Sequence, residues 1–279
     1  MSVLAWLQEM LSHEFMRNAF LAGGGVAIGS GAAGYFLVIR GQIFVADALS
    51  HVAFTGALAA LAFGLDERLG LFAATLVGAA VLSSMGGIGR AGDVTVGAFF
   101  AWTLGLGVLF LSIYVTSRST SNGTGGLGVL FGSVLGISFP TALVSGLVGV
   151  GAAAGVMVMA RPLLYASIDP AAALAAGVPV GLVGLALLLL VGTMAAEAVQ
   201  VTGALLILGL LATPPAIARA MTARPYPALV LSGIIALVAV WCGLALSYAL
   251  SWMPPSFAII ALLFAAYPAA LLASRRQGR

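Results

Sequence analysis

The sequence predicts an all-α polytopic membrane protein with about nine transmembrane helices. Of its 279 residues, 62% are hydrophobic and only 7% are charged, whereas a soluble domain averages about 25% charged residues. Water-soluble globular classes are therefore excluded. A helix needs about 20 apolar residues to cross the hydrocarbon core. Nine stretches come close to this length, at approximately 18–39, 43–64, 69–88, 94–116, 139–160, 179–198, 201–218, 226–249 and 255–273.

The arginines give the predicted orientation. When the stretches are threaded through a membrane with alternating sides, three arginines fall on one face: Arg17, Arg68 and Arg118. The other eight share the opposite face, at positions 40, 90, 161, 219, 224, 275, 276 and 279. Because basic residues accumulate on the cytoplasmic side, we expect the N-terminus outside and the C-terminus inside. The segment 119–138 is polar and glycine-rich in its first half and too short to span in its second, which leaves eight spans as the alternative.

No linker divides the chain, so we predict one transmembrane domain over residues 1–279. Residues 1–16 carry Glu9 and Glu14 without a basic region, which predicts an interfacial amphipathic helix rather than a cleaved signal peptide. Small-xxx-small pairs predict close helix packing at Gly25–Gly29 and at Gly151–Gly155. The lone cysteine, Cys242, lies in an apolar stretch and is predicted to be a buried small residue.

An acid and an imidazole stand four residues apart inside the second apolar stretch, at Asp47 and His51. On a helix this spacing brings both side chains to one face, one turn apart. At a rise of about 1.5 Å per residue from Arg40, they lie about 10 Å and 16 Å into the membrane, near its midplane. Ionisable residues at that depth are costly and indicate function. Carboxylate and imidazole are suitable ligands for a divalent transition metal, but two ligands do not complete a site.

Other polar features inside apolar stretches have weaker interpretations. Glu197 is predicted to lie at the outer interface, with its carboxylate reaching towards water, in preference to a role in relaying metal. Asp93 is predicted to begin a helix and to pair with Arg90. The GxGxxG match at Gly87–Gly92 follows an apolar run rather than a strand, so it predicts a turn and not a dinucleotide site. Pro214–Pro215 is predicted to break its helix.

The sequence contains no lysine, since all eleven basic residues are arginines. A P-loop requires the lysine of GxxxxGK[ST], so these residues hold no standard nucleotide-hydrolysing site. We therefore expect a translocating subunit that is not itself an enzyme, with no cofactor and no nucleic-acid partner. Energy for transport would come from another chain.

The cytoplasmic loop at residues 161–178 differs from the other connections, because it is longer than a turn requires. Asp169 followed by Pro170 predicts an N-cap and first helical residue, and Gly177 predicts the end of a short helix. Its small residues Ala172, Ala175 and Ala176 would fit a cleft of a soluble partner.

Six segments, in this order, resemble the permease subunit of the zinc, manganese and iron class of ATP-binding-cassette importers: FMRNAFLAGG, YFLVIRGQIFVADALSHVAFTG, DVTVGAFFAWTLGLGVLFLS, VLFGSVLGIS, SIDPAAALAAGV and VTGALLILGLLATPPAIA. The resemblance implies a type II importer-like permease in the bacterial inner membrane. It also implies a homodimeric pore, a separate ATPase and an extracytoplasmic metal-binding protein. The chain departs from the family pattern at Ala46, where glycine is usual, and at Thr55, where proline is usual.

The same resemblance assigns roles to the two candidate sites. Asp47 and His51 of both protomers would bind the metal at the dimer axis, and the helix from Asp169 to Gly177 would couple to the ATPase. Two copies of the pair give two oxygens and two nitrogens, a set that suits Zn²⁺, Mn²⁺ or Fe²⁺ without choosing among them. The alternatives are a stand-alone secondary metal transporter or channel, which would normally hold more intramembrane acids, and an intramembrane metalloprotease, which would need the absent HExxH motif.

Overall fold

The computed structural model describes residues 3–86, 92–117, 134–250 and 252–276. These residues form a helical protein without strands, with one short 3-10 turn at Val134–Gly136. The α-helices are α1 Val3–Ser12, α2 Glu14–Arg40, α3 Ile43–Phe63, α4 Glu67–Met85, α5 Asp93–Ser117, α6 Phe139–Val158, α7 Ala160–Ile168, α8 Pro170–Ala175, α9 Val180–Thr202, α10 Ala204–Met221, α11 Pro225–Ala249 and α12 Pro255–Arg276.

Each of the nine predicted stretches forms a helix. Eight helices of the described chain are long and apolar enough to cross a membrane, namely α2, α3, α4, α5, α6, α9, α11 and α12. The remaining predicted span, 201–218, corresponds to α10, which is apolar but shorter. The predicted all-α polytopic class is therefore confirmed.

The amino-terminal helix α1 is amphipathic, as predicted, but it is shorter than the predicted head at 1–16. It ends at Ser12, and Glu14 already begins the first long helix. Met10 is 2% exposed, whereas Leu7 and Leu11 are 37% and 43% exposed. The ring of Trp6 contacts the ring of Tyr248 near the end of α11, with centroids 5.8 Å apart. This contact joins α1 to the end of α11 that the predicted orientation places outside.

Helix α2 lies at the centre of the molecule and packs against α6, α9, α10 and α11. Glycines make the closest of these approaches. A Cβ atom added to Gly25 would lie 2.5 Å from the Cα atom of Gly146 in α6, so a larger side chain does not fit there. Gly25 is thus a close-packing residue, as predicted. The predicted close packing at Gly151–Gly155 is wrong: a Cβ added to Gly151 would meet nothing within 4 Å, and one added to Gly155 would lie 3.5 Å from the side chain of Leu190. The glycines of α6 that meet α2 are Gly146 and Gly149.

Two further predictions about apolar stretches are wrong. Helix α10 continues through Pro214 and Pro215 instead of breaking there. Cys242 is exposed on α11 rather than buried. In a membrane-spanning helix an exposed side chain faces lipid, so a small apolar residue fits either side of the helix.

The connection between α2 and α3 places the first candidate site. Gly41 has a φ angle of +67°, the left-handed conformation that favours glycine, and it ends α2 directly after Arg40. The N–H of Gln42 donates to the carbonyl of Leu37 at 2.9 Å, and α3 begins at Ile43. Asp47 and His51 therefore lie in the second and third turns of α3. The GIGRAG turn, except for Gly92, and most of the uncertain segment 119–138 lie outside the described residues.

Candidate metal site

Asp47 and His51 lie on the same face of α3, as the spacing predicts. Asp47 Oδ1 and His51 Nε2 are 4.0 Å apart, and the side chains are 30% and 22% exposed. Between them Ala48, Leu49 and Ser50 are buried. About two thirds of α3 is buried, 67% of its apolar window, and the pair belongs to the part of the helix that stays partly open.

One wall of the site comes from α5. The ring of Phe100 meets the ring of His51 edge to face, with centroids 4.9 Å apart. One turn further along α3, the hydroxyl of Thr55 donates to the carbonyl of Thr103 in α5 at 3.1 Å. Thr55, which departs from the family pattern, thus contacts the helix that positions the imidazole.

The site within one chain is incomplete for metal binding. The described residues contain no group of three or more His, Cys, Asp or Glu side chains that could hold a metal ion. A transition metal in a protein is usually held by at least three protein ligands. Among the described residues, the Asp47–His51 pair therefore has the donor chemistry of a half-site.

The second intramembrane acid is placed differently from the prediction. Glu197 in α9 is fully buried, and its Oε1 accepts a hydrogen bond from Arg68 Nη2 of α4 at 3.0 Å. The Arg68 guanidinium also lies 5.9 Å from the ring centroid of Phe72. The prediction that Glu197 reaches towards water at the interface is therefore wrong. Its carboxylate instead forms an ion pair between α9 and α4, at one end of α4. Asp93 does begin α5 as predicted, while Arg90 lies outside the described residues.

The short helix α8 forms as its end signals predict. Asp169 is the N-cap, and its Oδ1 accepts from the N–H of Ala172 at 2.9 Å; Pro170 occupies the first turn. Gly177, with a φ angle of +81°, follows the C-cap residue Ala176. Ala175, Ala176 and Gly177 are exposed, whereas Ala172 is half-buried under the hydroxyl of Tyr165. The small residues predicted to contact a partner are therefore largely accessible.

Sequence reasoning missed two features beside α8. The preceding residues form a separate helix, α7, whose last residue, Ile168, is 72% exposed, and Leu174 of α8 is 49% exposed. The signal in the sequence was the presence of large aliphatic residues, Ile168 and Leu174, around the Asp169–Pro170 helix start. The other feature is long-range: Arg40 at the end of α2 is buried and its Nε donates to the hydroxyl of Ser167 at 2.8 Å.

Comparison with known proteins gives a consistent result. A family model described as the ABC 3 transport family matches residues 12–274. The manganese transport system membrane protein MntC of Halalkalibacterium halodurans is 26% identical over 240 residues, 86% of this chain and 80% of the relative. A probable iron transport system membrane protein of Haemophilus influenzae is 26% identical over 220 residues, 78% of each chain.

The fold also matches a solved structure. A chain of PsaBC from Streptococcus pneumoniae, solved in complex with a Fab, superposes with a TM-score of 0.82 at 23% identity. The match covers 96% of this chain and 95% of the other. At 23% identity this similarity shows that the two chains share a fold.

Proposed function

We propose a function for this chain from one established premise: it belongs to the ABC 3 transport family and is a multi-pass permease of the bacterial cell membrane. We infer that it imports divalent transition metal ions as one half of a homodimeric pore. Asp47 and His51 of both protomers would bind the passing ion. A separate ATPase would supply the energy, and an extracytoplasmic metal-binding protein would deliver the ion.

The observation that carries this proposal is the partly open Asp47–His51 pair at membrane depth. Its oxygen and nitrogen donors suit Mn²⁺, Fe²⁺ and Zn²⁺. The relative from Halalkalibacterium halodurans is named for manganese and the relative from Haemophilus influenzae for iron, which supports a first-row divalent metal as cargo. Because the pair contains no thiolate, nothing in it favours zinc, and we propose Mn²⁺ or Fe²⁺ as the first ions to test.

The homodimer follows from the ligand count. One chain offers two ligands, and a two-fold axis passing beside α3 would bring two carboxylates and two imidazoles around one ion. The half-open exposure of both side chains supports this arrangement, since a closed site within one chain would bury them.

The role of the ATPase is supported by the cytoplasmic surface formed by Ile168, Leu174, Ala175 and Ala176, which we call the docking surface. All four residues are exposed on the side predicted to face the cytoplasm. In water such an apolar group indicates a protein partner. The chain lacks lysine and so has no P-loop of its own, which supports an ATPase as that partner.

The proposal is tested with Asp47→Ala and His51→Ala, measured as uptake of radioactive Mn²⁺ or Fe²⁺ by cells that also express the ATPase and the binding protein. Either variant is expected to abolish uptake, because one change in the chain removes two of the four ligands. Asp93→Ala serves as the control, since it removes an exposed carboxylate at the start of α5, outside the site. Wild-type uptake by either site variant would refute the metal assignment. Uptake that continues without the ATPase would instead favour a secondary transporter.

A further inference from the structure

An apolar groove opens between α2, α6 and α11. Its volume is about 340 Å³. Eleven residues line it, and all are aliphatic, methionine or glycine: Ile28, Ala32, Val150, Ala153, Ala154, Met157, Leu229, Val230, Gly233, Ile234 and Leu237. All of them belong to membrane-spanning helices, so the medium that surrounds the groove is hydrocarbon. Val150 and Ile234 at its edge are 51% and 50% exposed.

The groove spans one leaflet of the bilayer. From Leu229 to Leu237 the rise along α11 is about 12 Å, close to half of a hydrocarbon core about 30 Å thick. The lining residues of α6 and α11 come from the ends of these helices that the predicted orientation places at the cytoplasm. The groove is therefore open to lipids of the cytoplasmic leaflet.

Two exposed arginines follow the groove at its cytoplasmic end. Arg161 comes four residues after Met157, and Arg224 comes five residues before Leu229. Arg161 lies in the first turn of α7, directly after α6, and Arg224 is the N-cap of α11, so both stand just beyond the helix ends that line the groove, at the depth of lipid headgroups. Basic side chains between transmembrane helices at the cytoplasmic interface attract anionic headgroups.

We propose that the groove and these two arginines form a binding site for an anionic phospholipid of the cytoplasmic leaflet. One acyl chain would fill the groove, and the phosphate would contact Arg161 and Arg224. This site goes beyond the proposed transport function. A second copy of the chain fits the groove less well, since no lining residue belongs to α3, α4 or α5, whereas the half-site for metal lies between α3 and α5.

The proposal is tested by native mass spectrometry of the purified full-length protein titrated with phosphatidylglycerol or with phosphatidylcholine. We expect the wild-type protein to bind phosphatidylglycerol more tightly. The double variant Arg161→Gln/Arg224→Gln is expected to lose about 30-fold in affinity for phosphatidylglycerol, because each arginine near an anionic surface contributes about fivefold. Affinity for the uncharged phosphatidylcholine headgroup should not change. Since both lipids are measured on the same variant, loss of folding cannot produce this difference.

A second variant tests the groove itself. Ala154→Phe places a ring in the groove from an exposed position on α6 and should remove binding of both lipids. Ala266→Phe, at an exposed position of α12 outside the groove, is the matched control and should bind both lipids as the wild type does. Unchanged phosphatidylglycerol affinity in the arginine variant would overturn the headgroup assignment. Equal lipid binding by Ala154→Phe and Ala266→Phe would overturn the assignment of the groove as the site for the acyl chain. The same assignment would be overturned if Ala154→Phe changed the oligomeric state without losing lipid.

Discussion

Removing Arg68 is expected to destabilise the protein, because it leaves the Glu197 carboxylate buried without a counter-charge. Glu197 has no side-chain exposure, and Arg68 donates to its Oε1 at 3.0 Å. Its second oxygen, Oε2, is also buried and has no hydrogen-bond partner among the described residues. Breaking a buried ion pair by deleting one partner typically costs about 3–5 kcal/mol.

The geometry of the Arg68–Glu197 pair narrows the expected cost of breaking it. At 3.0 Å and an effective dielectric constant of about 20, the Coulomb attraction is about 5–6 kcal/mol. The Arg68 side chain is 29% exposed, so water at the helix end screens part of this attraction. We therefore expect Arg68→Met to cost about 3 kcal/mol. For a chain of this length that loss lowers the melting temperature by about 6 °C.

The measurement is thermal unfolding of the purified protein in detergent, followed by tryptophan fluorescence. Arg17→Met is the matched control, because Arg17 is exposed and a surface substitution changes stability by about 0.5 kcal/mol or less. The double variant Arg68→Met/Glu197→Met removes both charges and should regain most of the lost stability. The reasoning is refuted if Arg68→Met melts like Arg17→Met, or if the double variant is as unstable as the sum of the single ones.

Three other outcomes are expected. Elemental analysis of the purified, metal-loaded permease should give one ion per two chains, and one tightly bound ion per chain would contradict the shared site. Ala175→Arg should prevent co-purification of the ATPase, because it places a charge in the proposed apolar contact. Ala223→Arg, exposed in the connection between α10 and α11, should not. Retained co-purification by Ala175→Arg would exclude α8 as the contact for the ATPase. Gly25→Ala should lower the free energy of unfolding by about 1–3 kcal/mol, because the added Cβ atom meets Gly146. Gly151→Ala adds its Cβ atom in open space and should not lower it. Equal melting temperatures of the two variants would contradict this packing.

The features that the sequence predicted correctly depend on residues close together in the chain. The shared face of Asp47 and His51 follows from the pitch of one helix. The start of α8 follows from Asp169 and Pro170, whose capping interactions reach only three residues along the chain. The long apolar stretches likewise identify the helices, because each must satisfy its backbone hydrogen bonds internally to exist in lipid.

The features that could not be predicted from the sequence depend on how the helices are rotated against one another. Arg68 and Glu197 are 129 residues apart, and no local pattern joins them. The same holds for the contact of Gly25 with Gly146 and for the exposure of Cys242. In a soluble helix the apolar face marks the core, but lipid is as apolar as the interior of this protein. Hydrophobic periodicity therefore carries little information about which face of a membrane helix is buried.

The position of Arg40 brings the two candidate sites into one connected region. Its guanidinium donates to Ser167, two residues before the N-cap Asp169 of α8. On the other side, only Gly41 and Gln42 separate Arg40 from α3, whose second turn carries Asp47. A shift of α8 therefore acts close to the start of α3, the helix that bears the proposed metal ligands. Since metal–ligand bonds of about 2.0–2.2 Å tolerate little displacement, a shared site between two chains would lose its ion when the two α3 helices separate by about one bond length.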